Sequence, residues 1–397
     1  MKTKEVILKN KNQMPKRNPF AGSFSFGRNS DMEPPVLSVE VEELDTRDLP
    51  LLSRDSDVVA FAPVMPMKLI EPVKVQLSEA MREQSVTWGI RATGADTCPF
   101  SGNGVVVAVL DTGIDSKHKA FDDVQLIQRD FTGDGDGDPN GHGTHCAGTI
   151  FGRDIQGIRI GVAKGVKKAL IGKVLGNNGG GSTEQIMSAI MWALESGAHI
   201  ISMSLGMDFP GYVRSLTDLG YPAELATSRA LEAYRANTQL FERLASLIRA
   251  NGSFGQSCIL IAAAGNESRR EIHPDWEIAV APPAISEGII SVGALGEGQG
   301  GLTIANFSNT GANVCGPGVN VVSAETGGGL VALNGTSMAA PHVAGIAAFW
   351  AEKMIRFGRL NCQELSARLI GNSQLSPLRE DFDPFDVGAG LIRAPQS

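Results

Sequence analysis

From about residue 80 onward, short runs of near-continuous apolar character punctuate the chain at 105–110, 170–174, 199–205, 258–263 and 289–292. Each predicts a β-strand buried on both faces. Longer stretches of helical character lie between them, at His142–Phe151, Thr183–Glu195, 222–237, 238–250 and 337–355. Strands separated by helices imply an α/β fold with a mainly parallel sheet and helices on both faces. In such sheets, chemistry gathers at the carboxyl ends of the strands. No internal repeat is present.

The region before residue 80 reads differently. Residues 1–35 are basic at the start, rich in Asn, Gly and Pro, and without periodicity, which predicts a disordered tail. In residues 36–80, the run VLSVEVEEL alternates apolar and acidic positions and predicts a half-buried strand. A second extended run, DVVAFAPVMPMKLIEP, is limited by Pro63, Pro66 and Pro72. This segment is too short to be a robust domain alone and is expected to pack on residues 81–397.

Composition narrows the function classes. The 397 residues are 42% hydrophobic and 20% charged, as expected of a soluble globular protein. A net charge of −8 argues against a nucleic-acid surface. Five cysteines without a CxxC pair do not form a disulfide framework, although one bridge stays open. Cys146 and Cys258 sit in apolar runs and read as buried thiols. The apolar run Val6-Ile7-Leu8 is too short for a signal peptide, and no stretch approaches the length of a membrane span. These features lead to an expectation of a cytoplasmic protein without membrane partners, with export by another route left open.

Four short motifs carry chemistry. In Val-Ala-Val-Leu-Asp111-Thr-Gly-Ile, a buried strand ends in an acid that a turn can hold rigidly. In Asn140-Gly-His142-Gly-Thr-His145-Cys, glycines flank an imidazole and leave it accessible, whereas His145 reads as a hydrogen-bonded core residue. In Ile-Ala-Ala-Ala-Gly265-Asn266-Glu, a strand end presents an amide that can donate to developing negative charge. In Asn334-Gly-Thr-Ser337-Met-Ala-Ala-Pro341, a serine opens a helix, where its backbone N–H is free to help hold an oxyanion. Singly, each has a bland alternative: a turn cap, a left-handed Asn, a helix cap. Together they supply nucleophile, base, orienter and oxyanion donor. Serine is a poor nucleophile without a base, and His142 can take and return its proton while Asp111 fixes the tautomer.

The order Asp, His, Asn, Ser, with DTGID, NGHGTHCAG, AAAGNE and NGTSMAAPHVAG, resembles the subtilisin-like serine peptidases. The cysteine after GTH is similar to the proteinase K-like branch. The resemblance runs from about Trp88 to Ala394 and implies the three-layer subtilisin-like fold. It implies a serine endopeptidase with the triad Asp111, His142 and Ser337, the oxyanion donor Asn266, and no cofactor for the chemistry. It also implies an extended peptide or protein substrate clamped by main-chain hydrogen bonds, between Ser204-Leu205-Gly206 on one side and Leu175-Gly176 with Gly179-Gly180-Gly181 on the other. Ala263-Ala264-Gly265 would wall the primary pocket and Ala281 would floor it, which predicts apolar or aromatic preference.

Three features depart from that pattern. Ala120 stands where a calcium-binding carboxylate is common, so structural calcium rests on the spacing Asp134-Gly-Asp136-Gly-Asp138 alone, against a plain solvated loop. Residues 207–256 form a helical insertion. Residues 36–80 read as a reduced prosegment, an intramolecular inhibitor removed by self-processing, or else as a permanent extension. Rival functions fit less well. His142 and His145 form HxxH without the glutamate of HExxH metallohydrolases. An α/β-hydrolase orders Ser before Asp and His. A dead binding module would not keep all four catalytic positions filled.

Overall fold

A computed structural model describes residues 2–11, 36–251 and 257–397. The chain opens with five strands: β1 (Lys2–Asn10), β2 (Leu37–Asp45), β3 (Val58–Pro63), β4 (Pro66–Leu69) and β5 (Val73–Val75). The main sheet uses β6 (Val106–Asp111), β7 (Gln125–Asp130), β8 (Lys168–Lys173), β10 (Ile200–Met203), β12 (Ile259–Ala263), β13 (Ile289–Gly298), β14 (Gly301–Ile304) and β15 (Val314–Pro317). Its order is β14-β13-β12-β10-β6-β8-β7, with β15 also paired to β13. All these pairs are parallel except β13–β14. Four short strands complete the set: β9 (Gly180–Ser182), β11 (Leu205–Met207), β16 (Val321–Ala324) and β17 (Leu330–Asn334).

Successive side chains of a strand face opposite sides, so a strand buried on both feeds two cores. Val107 and Val109 of β6 join the core that holds the helices His142–Phe151 and Thr336–Phe357. Ala108 and Leu110 join the core under the helices Thr183–Glu195 and Ala223–Asn251. This is the three-layer architecture expected from the apolar runs. Among the described residues, no helix is long and apolar enough to cross a membrane. All five cysteines are free thiols, so the bridge left open is not formed.

The N-terminus departs from expectation. Lys2–Asn10 is not a tail but the central strand of a small antiparallel sheet, β2-β1-β3. Its charged letters misled because Val6, Ile7 and Leu8 become buried only once β2 and β3 flank them and the sheet docks on the domain. Residues 12–35 lie outside the described residues. The sheet is tied to the large domain by Lys4 to Glu184, by Met65 N–H to Thr183 Oγ1 at 3.1 Å and by Asn237 Nδ2 to the Pro63 carbonyl at 2.8 Å.

The insertion also differs in detail. A helix at Phe209–Asp218, capped by the Asp208 carboxylate on Gly211 N–H, precedes one 29-residue helix, Ala223–Asn251. The expected break near 237–238 is absent. Asn237 Nδ2 and Thr238 Oγ1 donate to the Ala233 and Tyr234 carbonyls one turn back, at 2.9 Å each, within the continuous helix.

Helix Thr336–Phe357 passes so close to the loop at Val162 that a Cβ on Gly345 would lie 2.5 Å from Val162 Cβ. Gly345→Val should therefore destabilise the fold by about 3 kcal/mol, the upper range for overpacked cores. The check is a lowered urea midpoint with an unchanged m-value.

Candidate active site

Asp111 is the last residue of β6 and His142 the first of its helix. His142 Nδ1 lies 2.7 Å from Asp111 Oδ1, which also accepts the Thr112 N–H at 2.8 Å. Both side chains are buried. Burial disfavours the imidazolium, but the adjacent Asp111 carboxylate outweighs it and holds the His142 pKa well above its usual value. In the neutral form of the ring, with Nδ1–H donated to the carboxylate, Nε2 carries the free lone pair that can act as a base.

A second carboxylate fixes this corner, and the sequence did not single it out for that role. Asp138 accepts from Thr112 Oγ1 (2.7 Å), Gly141 N–H (2.9 Å), Thr144 N–H (2.8 Å) and Thr144 Oγ1 (2.6 Å). It thereby joins the turn after Asp111 to the start of the His142 helix. Asp138 consequently leaves the spacing read as a calcium loop, and Asp134 accepts the Asn177 N–H at 2.8 Å. Asp138 is satisfied by N–H and O–H donors, and among the described residues Asp134, Asp136 and Asp138 do not converge as a calcium cage would require.

Ser337 is the second residue of its helix and fully buried. Asn266 follows β12 by three residues. Its Oδ1 accepts both Thr336 N–H and Thr336 Oγ1–H at 2.9 Å, which fixes the amide with Nδ2 outward. Pro341 lies past the first turn of the Ser337 helix. Lacking an N–H, it frees the Ser337 carbonyl four residues back. Ser204 Oγ (3.2 Å) and Cys146 Sγ (3.3 Å) take up that carbonyl instead. Ser204 and the cysteine after GTH thus serve to anchor the helix start.

The groove is filled by the chain itself. β4 lies antiparallel between β11 and β9, with Leu205 opposite Leu69, Gly206 opposite Lys68, and Gly180 opposite Lys68 on the other edge. Leu205, Gly206 and Gly180 therefore flank β4 directly. Leu175 and Gly176 do not: they pair with Gly181 and Gly180, one strand removed from the occupant. Beyond β4, Ser337 Oγ–H donates to the Ile70 carbonyl at 3.1 Å, and Asn266 Nδ2 donates to the Glu71 carbonyl at 3.0 Å. Past Pro72, β5 pairs with β17. His142 Nε2 is buried and has no hydrogen-bond partner among the described residues, so the Ser337–His142 link is not made while Ser337 holds Ile70.

His145 points elsewhere. Its Nε2 bonds the Val321 carbonyl at 3.0 Å, and burial lowers its pKa to about 3. The HxxH pair is therefore not a shared metal site. Asp111, His142 and Cys146 do cluster closely enough to be ligands, but Asp111 and His142 are already hydrogen-bonded to each other and burial raises the thiol pKa.

A model of the subtilase family matches residues 102–382. The chain belongs to the subtilase family. It is 32% identical to "Subtilisin-like protease 1" of Trichophyton rubrum over 300 residues, 70% of this chain and 50% of that protein. It is 31% identical to "M-protease" of Shouchella clausii over 381 residues, covering 91% and 78%. It is 31% identical to "Subtilisin DY" of Bacillus licheniformis over 317 residues, covering 78% and 97%. The chain spans about half the length of the Trichophyton relative it matches.

This subtilase carries two further buried histidines with a pH consequence. Burial lowers the His342 pKa to about 4 and the His145 pKa to about 3. Unfolded, each titrates near 6.5, so unfolding takes up protons below that pH and stability falls as the pH drops toward 4. Each histidine should cost on the order of 2 kcal/mol of stability between pH 7 and pH 4.5. Urea unfolding at the two pH values measures the loss, and His342→Gln should remove its share.

Proposed function

We propose that this subtilase is a serine endopeptidase held in an inhibited state by residues 66–75. Ser337 attacks the substrate carbonyl carbon while His142 Nε2 takes its proton. Asp111 holds the imidazole, and Asn266 Nδ2 and the Ser337 N–H stabilise the oxyanion. The C–N bond breaks as His142 returns the proton to the leaving amine. Water, activated by the same histidine, then hydrolyses the acyl-enzyme. No cofactor enters these steps.

The observation that carries the reading is the path of β4 to Glu71. An extended peptide occupies the groove in antiparallel register, and its carbonyls meet Ser337 and Asn266. Catalysis needs both groups at one carbonyl. Here they address adjacent carbonyls, and the Ser337 proton points at the Ile70 oxygen instead of at His142. The segment thus occupies the groove without being positioned for cleavage. Ile70, buried and close to Gly206, supports an apolar preference at the residue before the cut. The N-terminal segment acts as an intramolecular inhibitor, and its removal by the enzyme itself would start activity.

Casein hydrolysis by wild type against Ser337→Ala tests the reading. The variant should lose activity by at least about 10³-fold and fail to react with a fluorophosphonate. Wild type should shorten from the N-terminus on incubation, seen by mass spectrometry, while Ser337→Ala stays intact. Equal casein hydrolysis would refute the endopeptidase assignment; two intact N-termini would refute self-processing alone.

A further inference from the structure

We propose that the groove contains a cation-selective subsite, formed by Asp208 and Glu267, that reads the substrate residue two positions before the one whose carbonyl faces Ser337. The inference rests on the endopeptidase reading above and specifies its substrate class: peptides with Lys or Arg at that position, flanked by apolar residues.

The occupant strand shows the subsite in use. Met67 and Leu69 turn one way into the apolar core, and Ile70 is buried on the other side. Lys68 alone projects along the groove half-exposed, with its Nζ 3.8 Å from Asp208 Oδ1 and 3.6 Å from Glu267 Oε1. Its backbone is fixed at this point, because Lys68 lies opposite Gly206 on one edge and Gly180 on the other. An extended substrate taking the same register would place its own side chain here.

Both carboxylates are anchored on the enzyme, although the Asp208 backbone N–H also donates to the occupant's Pro66 carbonyl at 3.0 Å. Asp208 Oδ1 caps the next helix through the Gly211 N–H at 3.1 Å. Glu267 Oε2 accepts the Asn309 Nδ2–H at 2.9 Å. Neither has another ion-pair partner among the described residues. When Lys68 departs, two carboxylates remain facing one point of the groove. A cation there relieves their mutual repulsion, and a carboxylate adds to it. The same pair strengthens the hold of the inhibitory segment.

The effect should be modest, since the pairs are partly solvated. Quenched peptides of sequence Pro-Met-X-Leu-Ile-Ser-Ala, with X as Lys, Gln or Glu, are cleaved by the processed enzyme. Wild type should prefer Lys over Glu by about tenfold in kcat/KM, with Gln between. In Asp208→Asn/Glu267→Gln, where asparagine keeps the helix cap and glutamine keeps an acceptor for Asn309, the Lys-to-Glu ratio should fall to within about twofold. Equal rates in wild type, or an unchanged ratio in the double variant, overturn the proposal. A second arm needs no catalysis. In full-length Ser337→Ala, Lys68→Glu should speed hydrogen–deuterium exchange of the amides at 67–70, and the double variant should cancel the difference. Unchanged exchange also overturns the subsite. If exchange responds as expected while no peptide is cleaved, the endopeptidase reading fails and the subsite stands.

Discussion

The catalytic corner depends on two backbones that touch. A Cβ on Gly143 would lie 2.2 Å from the Gly113 carbonyl oxygen, closer than any side chain could come. That approach brings the turn after β6 against the first turn of the His142 helix. Only then can Asp111 reach His142, Thr112 accept the Gly143 N–H, and Asp138 reach both elements. A short charged hydrogen bond in a dry site is strong but sensitive to geometry. Rigid packing of the sheet and helix supplies the geometry; the side chains alone would not.

The opposite wall follows a related logic. The helix that begins at Ser337 is fastened at its start by bonds that an uninterrupted helix would not have free. Pro341 releases the Ser337 carbonyl, and Ser204 and Cys146 hold it from the neighbouring strand and helix. Asn266 reaches across to Thr336 and is itself oriented by doing so. His142 and Ser337 are thus positioned by separate networks that meet in the groove occupied by residues 66–71.

Much of this was legible in the sequence, for identifiable reasons. Asp111, His142, Asn266 and Ser337 sit in short motifs that are ambiguous singly, and it is their combination and order along the chain that made them recognisable. The central strands could be read because burial on both faces leaves little room for polar residues. What was missed is non-local. Lys2–Asn10 looks like a basic tail until the strands that flank it are known. Leu175 and Gly176 lie next to the groove in sequence pattern but are screened from it by β9. Asp138 looked like part of a solvated acidic loop because its four donors come from residues before and after it in the chain. Asn237 looked like a helix boundary, and only the carbonyls at Ala233 and Pro63 explain why it is not.

The occupant of the groove is anchored on both sides. Before it, β3 is paired in the N-terminal sheet; after it, β5 is paired with β17. Short connections between paired elements give a tethered ligand an effective concentration on the order of millimolar or above. A free peptide must out-compete that local concentration. Breaking the chain on one side removes only one anchor, and the freed strand can rebind. Under the inhibited-state proposal, the two anchors make activation a threshold process, slow to begin and hard to trigger by a chance nick.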